Sequence, residues 1–337
     1  DFNACIANVT ILLPFDPIYA ASTFSDNCGP VMAMPTDTII QGDDCFWALT
    51  YVFKVVDVCG NVLPDQQIVH IGFDQTAPTG MKPPPVLGLN ACKATASQVY
   101  PFDPIYAAST YSDNCGGPVT AMYVSQNIIG TDCDWTLVYT FKVLDQCGNM
   151  LNNQNAILKG SDKTPPTITC AVQATPVDCP AVPVFTPPTA TDVCDASVAI
   201  TFTDVTTPGS CVGTYTVTRT WTATDDCNNT ASCSAAIVVR DVTPPTIVCA
   251  TQNTPIDCPA APVFIAPLAT DACDATVSVA FTDATTQGTC AGTYSVTRTW
   301  TATDDCGNTA TCSASIVVRD NTVPTITCVA QTSPINC

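Results

Sequence analysis

Apolar and polar residues alternate with a period of two through the longest runs of this chain. Residues 46–57, FWALTYVFKVVD, place Trp47, Leu49, Tyr51, Phe53 and Val55 on one face and Ala48, Thr50, Val52, Lys54 and Val56 on the other. Further along, Tyr215, Val217, Trp221 and Ala223 share a face opposite Thr216, Thr218, Thr220, Thr222 and Thr224. Arg219 falls on the apolar side, within reach of a stacking contact with Trp221. No segment shows a 3.6-residue apolar period. Thr, Val, Ile and aromatics fill the runs, and Pro, Gly, Asn and Asp fill the gaps. The pattern predicts an all-β protein whose units are two-sheet sandwiches of about seven short strands.

The pattern also repeats. The block beginning TPPTITC at Thr164 returns at Thr243 and starts again at Thr322 as TVPTITC. A looser pair precedes it, from Asn3 and from Asn90, each carrying PFDPIYAAST and SDNCG. The expected domains are 1–77, 78–163, 164–242 and 243–321, with 322–337 opening a fifth repeat or serving as a donor strand. The phrase D-x-T-x-P marks each junction, at Asp74, Asp162, Asp241 and Asp320. Proline stiffens these linkers, so the sequence predicts a rod, on the order of 150 Å for four domains end to end.

Composition sets the compartment. The 22 cysteines recur in even numbers in each full repeat, a disulfide framework of a secreted or cell-surface protein. Units of this size bury a modest core and benefit from cross-links. All 29 acidic residues are Asp, against 10 Lys and Arg, for a net charge of −19. That surface excludes nucleic acid as a partner, and no apolar stretch has the length of a membrane span. Asp without Glu suits turns. It also suits calcium, a hard cation that takes clustered carboxylates in loops. The calcium candidates are Asp192, Asp195, Asp225, Asp226 and Asp241, with Asp271, Asp274, Asp304, Asp305 and Asp320 as their later counterparts. No cofactor is otherwise required.

The DxTPPTITC opening, the ATDVCD loop and the RTWTATDDC…SC…IVV ending resemble hyalin-repeat (HYR-like) immunoglobulin-type modules, found in long extracellular proteins that include bacterial adhesins of the Bacteroidetes type. The resemblance spans residues 164–337 well, and 1–163 only through the SDNCG loop, the YTFKVLDQCGN strand and the linker phrase. It implies an immunoglobulin-like sandwich with a surface or adhesive role, and it supplies no catalytic residues.

Cysteine pairing follows from comparing repeats. Cys170 and Cys233 are missing together from the first two repeats, so they are expected to pair, as are Cys249 and Cys312. Cys45 and Cys59 flank one long strand and lie too far apart to bond. In an immunoglobulin-like order the SDNC and VCGN loops share one end of the sandwich. The expectation is therefore Cys5–Cys45, Cys28–Cys59, Cys92–Cys133, Cys115–Cys147, Cys179–Cys211, Cys194–Cys227, Cys258–Cys290 and Cys273–Cys306. The crossed alternative, Cys5 with Cys59 and Cys28 with Cys45, would run from one end to the other.

Little else suggests chemistry. His70 is the one histidine and reads as a strand or edge residue; no nucleophile, phosphate-loop or zinc motif is present. The Thr rows read as solvated strand faces. Asn8-Val-Thr and Asn228-Asn-Thr match the N-glycosylation pattern, and Asp37-Thr-Ile a short O-glycan acceptor. The expected function is a structural and adhesive repeat region, a disulfide-locked stalk or filament. Its partners would be other copies or further repeats, with surface glycans or cells as targets. The alternative is a calcium-dependent carbohydrate-binding array. At the ends, the first repeat lacks the stretch equivalent to Pro78–Gly88, while 322–337 form an opening strand. Strand exchange between copies would satisfy both; Cys328 and Cys337 favour a longer parent chain.

Overall fold

The computed structural model describes residues 2–328; Cys337 and most of the expected fifth opening strand lie outside them. The chain forms two compact units. The first runs to Pro165 and takes in the loops Asp192–Ser197 and Asp225–Asn229; the second comprises Pro166–Thr191, Val198–Thr224 and the chain from Thr230 onward.

Every repeat is built on one four-stranded sheet. In the first, strands Phe2–Asn3, Val31–Asp43, Phe46–Asp57 and Val62–Phe73 assemble in the order first, fourth, third, second. Phe2–Asn3 lies parallel to Val62–Phe73, and the other pairs are antiparallel. The second repeat repeats this with Val86–Asn90, Thr120–Thr131, Asp134–Leu144 and Met150–Ser161. In the second unit the same order joins Val177–Asp178, Ala199–Pro208, Tyr215–Thr224 and Thr230–Arg240, and then Ile256–Asp257, Ser278–Gln287, Tyr294–Thr303 and Thr309–Arg319. A two-stranded sheet faces the larger one in the last three repeats: Thr79–Gly80 with Tyr111–Ser112, Thr167–Thr169 with Thr189–Thr191, and Thr246–Val248 with Leu268–Thr270.

One kind of element departs from the all-strand reading. Short helices cover the sheet in the first two repeats, Val9–Leu12 and Pro17–Ala21, then Ala96–Val99 and Pro104–Ala108. One turn is too short to show a period. The local signal was Asp16-Pro17: the Asp16 carboxylate accepts from the Ile18 and Tyr19 amides, and proline occupies the first turn, where its missing N–H costs nothing.

The alternating face is the core. Trp47, Leu49, Tyr51, Phe53 and Val55 are all buried. Trp47 Nε1 donates to the Ala4 carbonyl, and Trp135 Nε1 donates to that of Ala91. Gly72 and Gly160 are required beneath these rings, since a Cβ would meet the indole at 2.3 Å. In the third repeat Trp221 is buried, and Arg219 stands among aromatics as its position suggested. Its guanidinium lies 3.8 Å from the Phe202 centroid and 4.5 Å from that of Phe185, with Trp221 at 6.0 Å, and it grips Asp204 with two hydrogen bonds. That pairing holds the Asp204 carboxyl below its ordinary pKa. Arg298 repeats the arrangement with Phe281, Phe264 and Asp283. His70 sits on strand Val62–Phe73, edge-on to Phe2 and Tyr51.

Candidate functional site at the repeat junctions

The chemistry of this chain collects where one repeat meets the next, and sulfur defines it. Cys5 bonds to Cys115 and Cys45 to Cys147. Cys92 bonds to Cys194 and Cys133 to Cys227. Cys179 bonds to Cys273 and Cys211 to Cys306. Each pair of bonds joins consecutive repeats. Among the described residues, Cys170–Cys233 and Cys249–Cys312 alone close within a repeat, tying its first strand to its last.

Eight expected bonds are therefore corrected: Cys5–Cys45, Cys28–Cys59, Cys92–Cys133, Cys115–Cys147, Cys179–Cys211, Cys194–Cys227, Cys258–Cys290 and Cys273–Cys306 do not form. The cysteines do share ends as reasoned. The loops of Cys5 and Cys45 touch, the Ile6 amide donating to Asp44 Oδ1 at 2.7 Å. Those of Cys28 and Cys59 touch as well, where a Cβ on Gly29 would lie 3.2 Å from Val58. What a single repeat cannot reveal is its neighbour. The short linker pins the Asp74 amide to the Asp44 carbonyl at 2.9 Å, which brings the end of the first repeat onto the loops of the second. Two thiols side by side then face two others, and each bonds across. Cys28, Cys59, Cys258, Cys290 and Cys328 carry no bond among the described residues.

Carboxylates surround the sulfur. At the first junction Asp43, Asp44, Asp74, Asp113 and Asp145 line a small cavity of about 60 Å³. Asp74 Oδ1 accepts from Thr76 N, and Asp113 Oδ2 accepts from Cys115 N. Their other oxygens, Asp74 Oδ2 and Asp113 Oδ1, are buried with no hydrogen-bond partner. Asp145 receives both the amide and the side chain of Asn149, whose Nδ2 also reaches the Asp74 carbonyl.

The same linker, loop and turn positions recur. Asp162, Asp192 and Cys194 form one cluster and Asp241, Asp271 and Cys273 another. Asp162 Oδ2, Asp241 Oδ2 and Asp271 Oδ2 are again buried and unpartnered. Asn229 and Asn308 bridge Asp225 to the Asp162 carbonyl and Asp304 to the Asp241 carbonyl. An unpaired buried carboxylate is costly, and a hard cation offers what these oxygens lack.

Of the sequence candidates, Asp192, Asp225, Asp241, Asp271 and Asp304 lie at these positions. Asp195 and Asp274 stand beside them, accepting from the amides of Asp226 and Asp305. Asp226 and Asp305 contribute those amides. Asp320 is exposed and caps Thr322 N. The Asp226 amide favours ionised Asp195, but desolvation and the charges of Asp226, Asp192 and Asp225 outweigh it and raise its pKa. The list omitted Asp44, Asp74, Asp113, Asp145 and Asp162. The signal was present: the linker phrase at Asp74 and Asp162 and the SDNC loop at Asp113 are the earlier copies of positions chosen in the later repeats.

Sheets, cross-links and junctions together define a tandem array of immunoglobulin-type β-sandwich repeats, covalently joined to one another. The eight disulfides among the described residues make it an extracellular protein. No family model matches the sequence. The chain is similar to Hyalin of Lytechinus variegatus, 28% identical over 333 residues covering 92% of this chain and 60% of Hyalin. It thus spans under two thirds of that relative's length, and the bacterial side of the resemblance gains no support from it. Among solved structures, the protocadherin gamma B2 extracellular domains 1–5 give a TM-score of 0.31 at 13% identity, covering 89% of this chain and 73% of that one. Drosophila N-cadherin EC1–4 gives 0.28 at 11%, covering 88% and 94%. At these scores the likeness adds nothing to the fold already read from the strands.

Proposed function

We propose that this chain is a load-bearing, adhesive repeat region of a secreted or cell-surface protein, a disulfide-locked segment of a stalk or filament, and not an enzyme. The observation that carries this reading is the pair of disulfides at every junction. They shorten the covalent path through the array. From Cys5 a bond leads to Cys115; 18 residues lead to Cys133, a bond to Cys227, 16 residues back to Cys211 and a bond to Cys306. That path holds 34 residues, against 301 along the backbone. Strands Thr120–Thr131 and Tyr215–Thr224 make up most of it and are already extended. Tension can then draw out about 120 Å between Cys5 and Cys306 instead of about 1,000 Å.

Single-molecule pulling by the termini tests this. The oxidised chain should show no release of a whole repeat between Cys5 and Cys306, and reduction should restore full unfolding lengths. Removing both bonds of the second junction, with Cys92→Ser and Cys133→Ser, should add 43 residues, about 150 Å, to the oxidised limit. Release of whole repeats from the oxidised chain would overturn the reading.

Calcium at the junctions is a second part of the proposal, favoured by the unpartnered oxygens of Asp74, Asp113, Asp162, Asp241 and Asp271. Calcium should raise the melting temperature over that in chelator, and Asp74→Asn with Asp113→Asn should shrink the increment. An unchanged melting temperature in chelator counts against it. The glycan-binding alternative is weaker, because Trp47, Trp135, Trp221 and Trp300 are buried and offer no platform for a sugar ring.

A further inference from the structure

Each junction offers its four sulfurs a choice of partners. Before two repeats dock, every one of these cysteines already has a neighbour in its own repeat. At the second junction the Lys93 amide donates to Asp132 Oδ1 at 2.6 Å, which holds the Cys92 loop against the Cys133 loop. On the facing repeat the Asp226 amide donates to Asp195 Oδ2 at 2.7 Å, which holds the Cys194 loop against the Cys227 loop. The bonds Cys92–Cys133 and Cys194–Cys227 would need one repeat each, whereas Cys92–Cys194 and Cys133–Cys227 need two repeats docked. Chain entropy also favours the local partners, 41 and 33 residues apart in sequence against 102 and 94.

Docking meets electrostatic resistance as well. Asp162 of the linker comes onto Asp192 of the next repeat, with one oxygen of each and the Cys194 sulfur all within 4.8 Å of one another. Asp162 is 3% exposed, and its Oδ2 is buried with no hydrogen-bond partner. Asp74 with Asp113, and Asp241 with Asp271, form the same pairs, and there both residues carry an unpartnered oxygen. Two like charges this close repel, and burial strengthens the repulsion. A divalent cation between them turns repulsion into attraction.

We infer that these carboxylates make the connectivity of the junction disulfides depend on calcium during oxidation. With the cation held by Asp162 and Asp192, the repeats dock first and the sulfurs bond across the junction. Without it the repeats stay apart, and the sulfurs bond within their own repeats. The inference rests on the calcium reading above and gives that site a role in assembly. The chemistry is the same on both routes. Two successive exchanges convert two thiols and one glutathione disulfide into one protein disulfide and two molecules of glutathione. Only proximity differs.

The test starts from the full chain, reduced and unfolded. It is refolded in a glutathione redox buffer with calcium or with chelator, then alkylated and mapped by mass spectrometry without reduction. Calcium should raise the ratio of Cys92–Cys194 and Cys133–Cys227 peptides to Cys92–Cys133 and Cys194–Cys227 peptides by about tenfold or more. Asp162→Asn with Asp192→Asn removes both charges and keeps the oxygens that accept from the Thr164 and Cys194 amides. In chelator this variant should bond across the second junction. At the third, where Asp241 and Asp271 are intact, it should still give Cys179–Cys211 and Cys273–Cys306. The inference fails if the ratio is the same in calcium and in chelator, or if the double variant still needs calcium at the second junction. Calorimetric titration of calcium into the oxidised native chain judges the calcium reading separately. Binding with an unchanged ratio overturns the inference alone; absence of binding overturns both.

Discussion

Two strands at the same place in consecutive repeats show two ways of holding a small sandwich together. Strand Asp134–Leu144 buries Trp135, Leu137, Tyr139, Phe141 and Val143, and these pack with Ala96, Ala107, Tyr111 and Ala156 into one apolar cluster. Strand Tyr215–Thr224 fully buries only Trp221 and Ala223 of its residues, and at the position of Tyr139 it carries Arg219. The second repeat gathers its core from the short helices laid over the sheet. The third has no such helices and closes with the Cys170–Cys233 bond, which the second lacks. Small domains without enough apolar surface to bury need a staple. Within this chain the staple appears where the helices disappear.

Single substitutions can break that comparison. Trp135→Ala should have the largest effect, about 5 kcal/mol, the top of the range for such truncations, because the ring is fully buried and its N–H is satisfied. Calorimetry of the intact array, with hydrogen exchange to locate the loss, should place the damage in the second repeat. Cys170→Ala with Cys233→Ala opens a loop of 63 residues and should destabilise the third repeat by about 4 kcal/mol. If exchange in strands Thr167–Thr169 and Thr230–Arg240 is unaffected, the staple argument is wrong.

Arg219→Lys is a smaller and more discriminating change. It keeps the charge but loses the two-pronged grip on Asp204 and the flat contact with Phe202, so it should still lower the third repeat's melting temperature. Tyr139→Phe, at the matching place, removes only a hydroxyl bonded to the Tyr100 carbonyl. A lysine variant as stable as the parent would mean that charge alone matters there.

Asp195→Asn should be the mildest. The folded pKa of Asp195 is raised, so ionisation costs stability as pH rises through and above the ordinary carboxylate range, and protonation recovers it below. In chelator at neutral pH the amide should therefore stabilise slightly, by a few tenths of a kcal/mol, and the gain should vanish in acid. A loss at neutral pH would show that the Asp195 charge is already compensated.

Much of this architecture is local and was readable from the chain. Period-two alternation identified the buried faces, because a pleated strand sends successive side chains to opposite sides. The recurring linker marked the junctions, and the shared absence of Cys170 and Cys233 counterparts pointed to the two cysteines that the structure joins. The one-turn helices escaped because a turn has no period; Asp16-Pro17 and its copy Asp103-Pro104 were the traces two of them left. Which cysteine meets which was decided by tertiary structure. Spacing places Cys5 beside Cys45, yet their partners are 110 and 102 residues away, in the next repeat. The same docking buries Asp74 Oδ2 and Asp113 Oδ1 against each other's repeats. A sequence records which residues each end of a domain presents. Only the packed neighbour decides what those residues face, because bonds and buried charge depend on separations of a few ångströms between loops far apart along the chain.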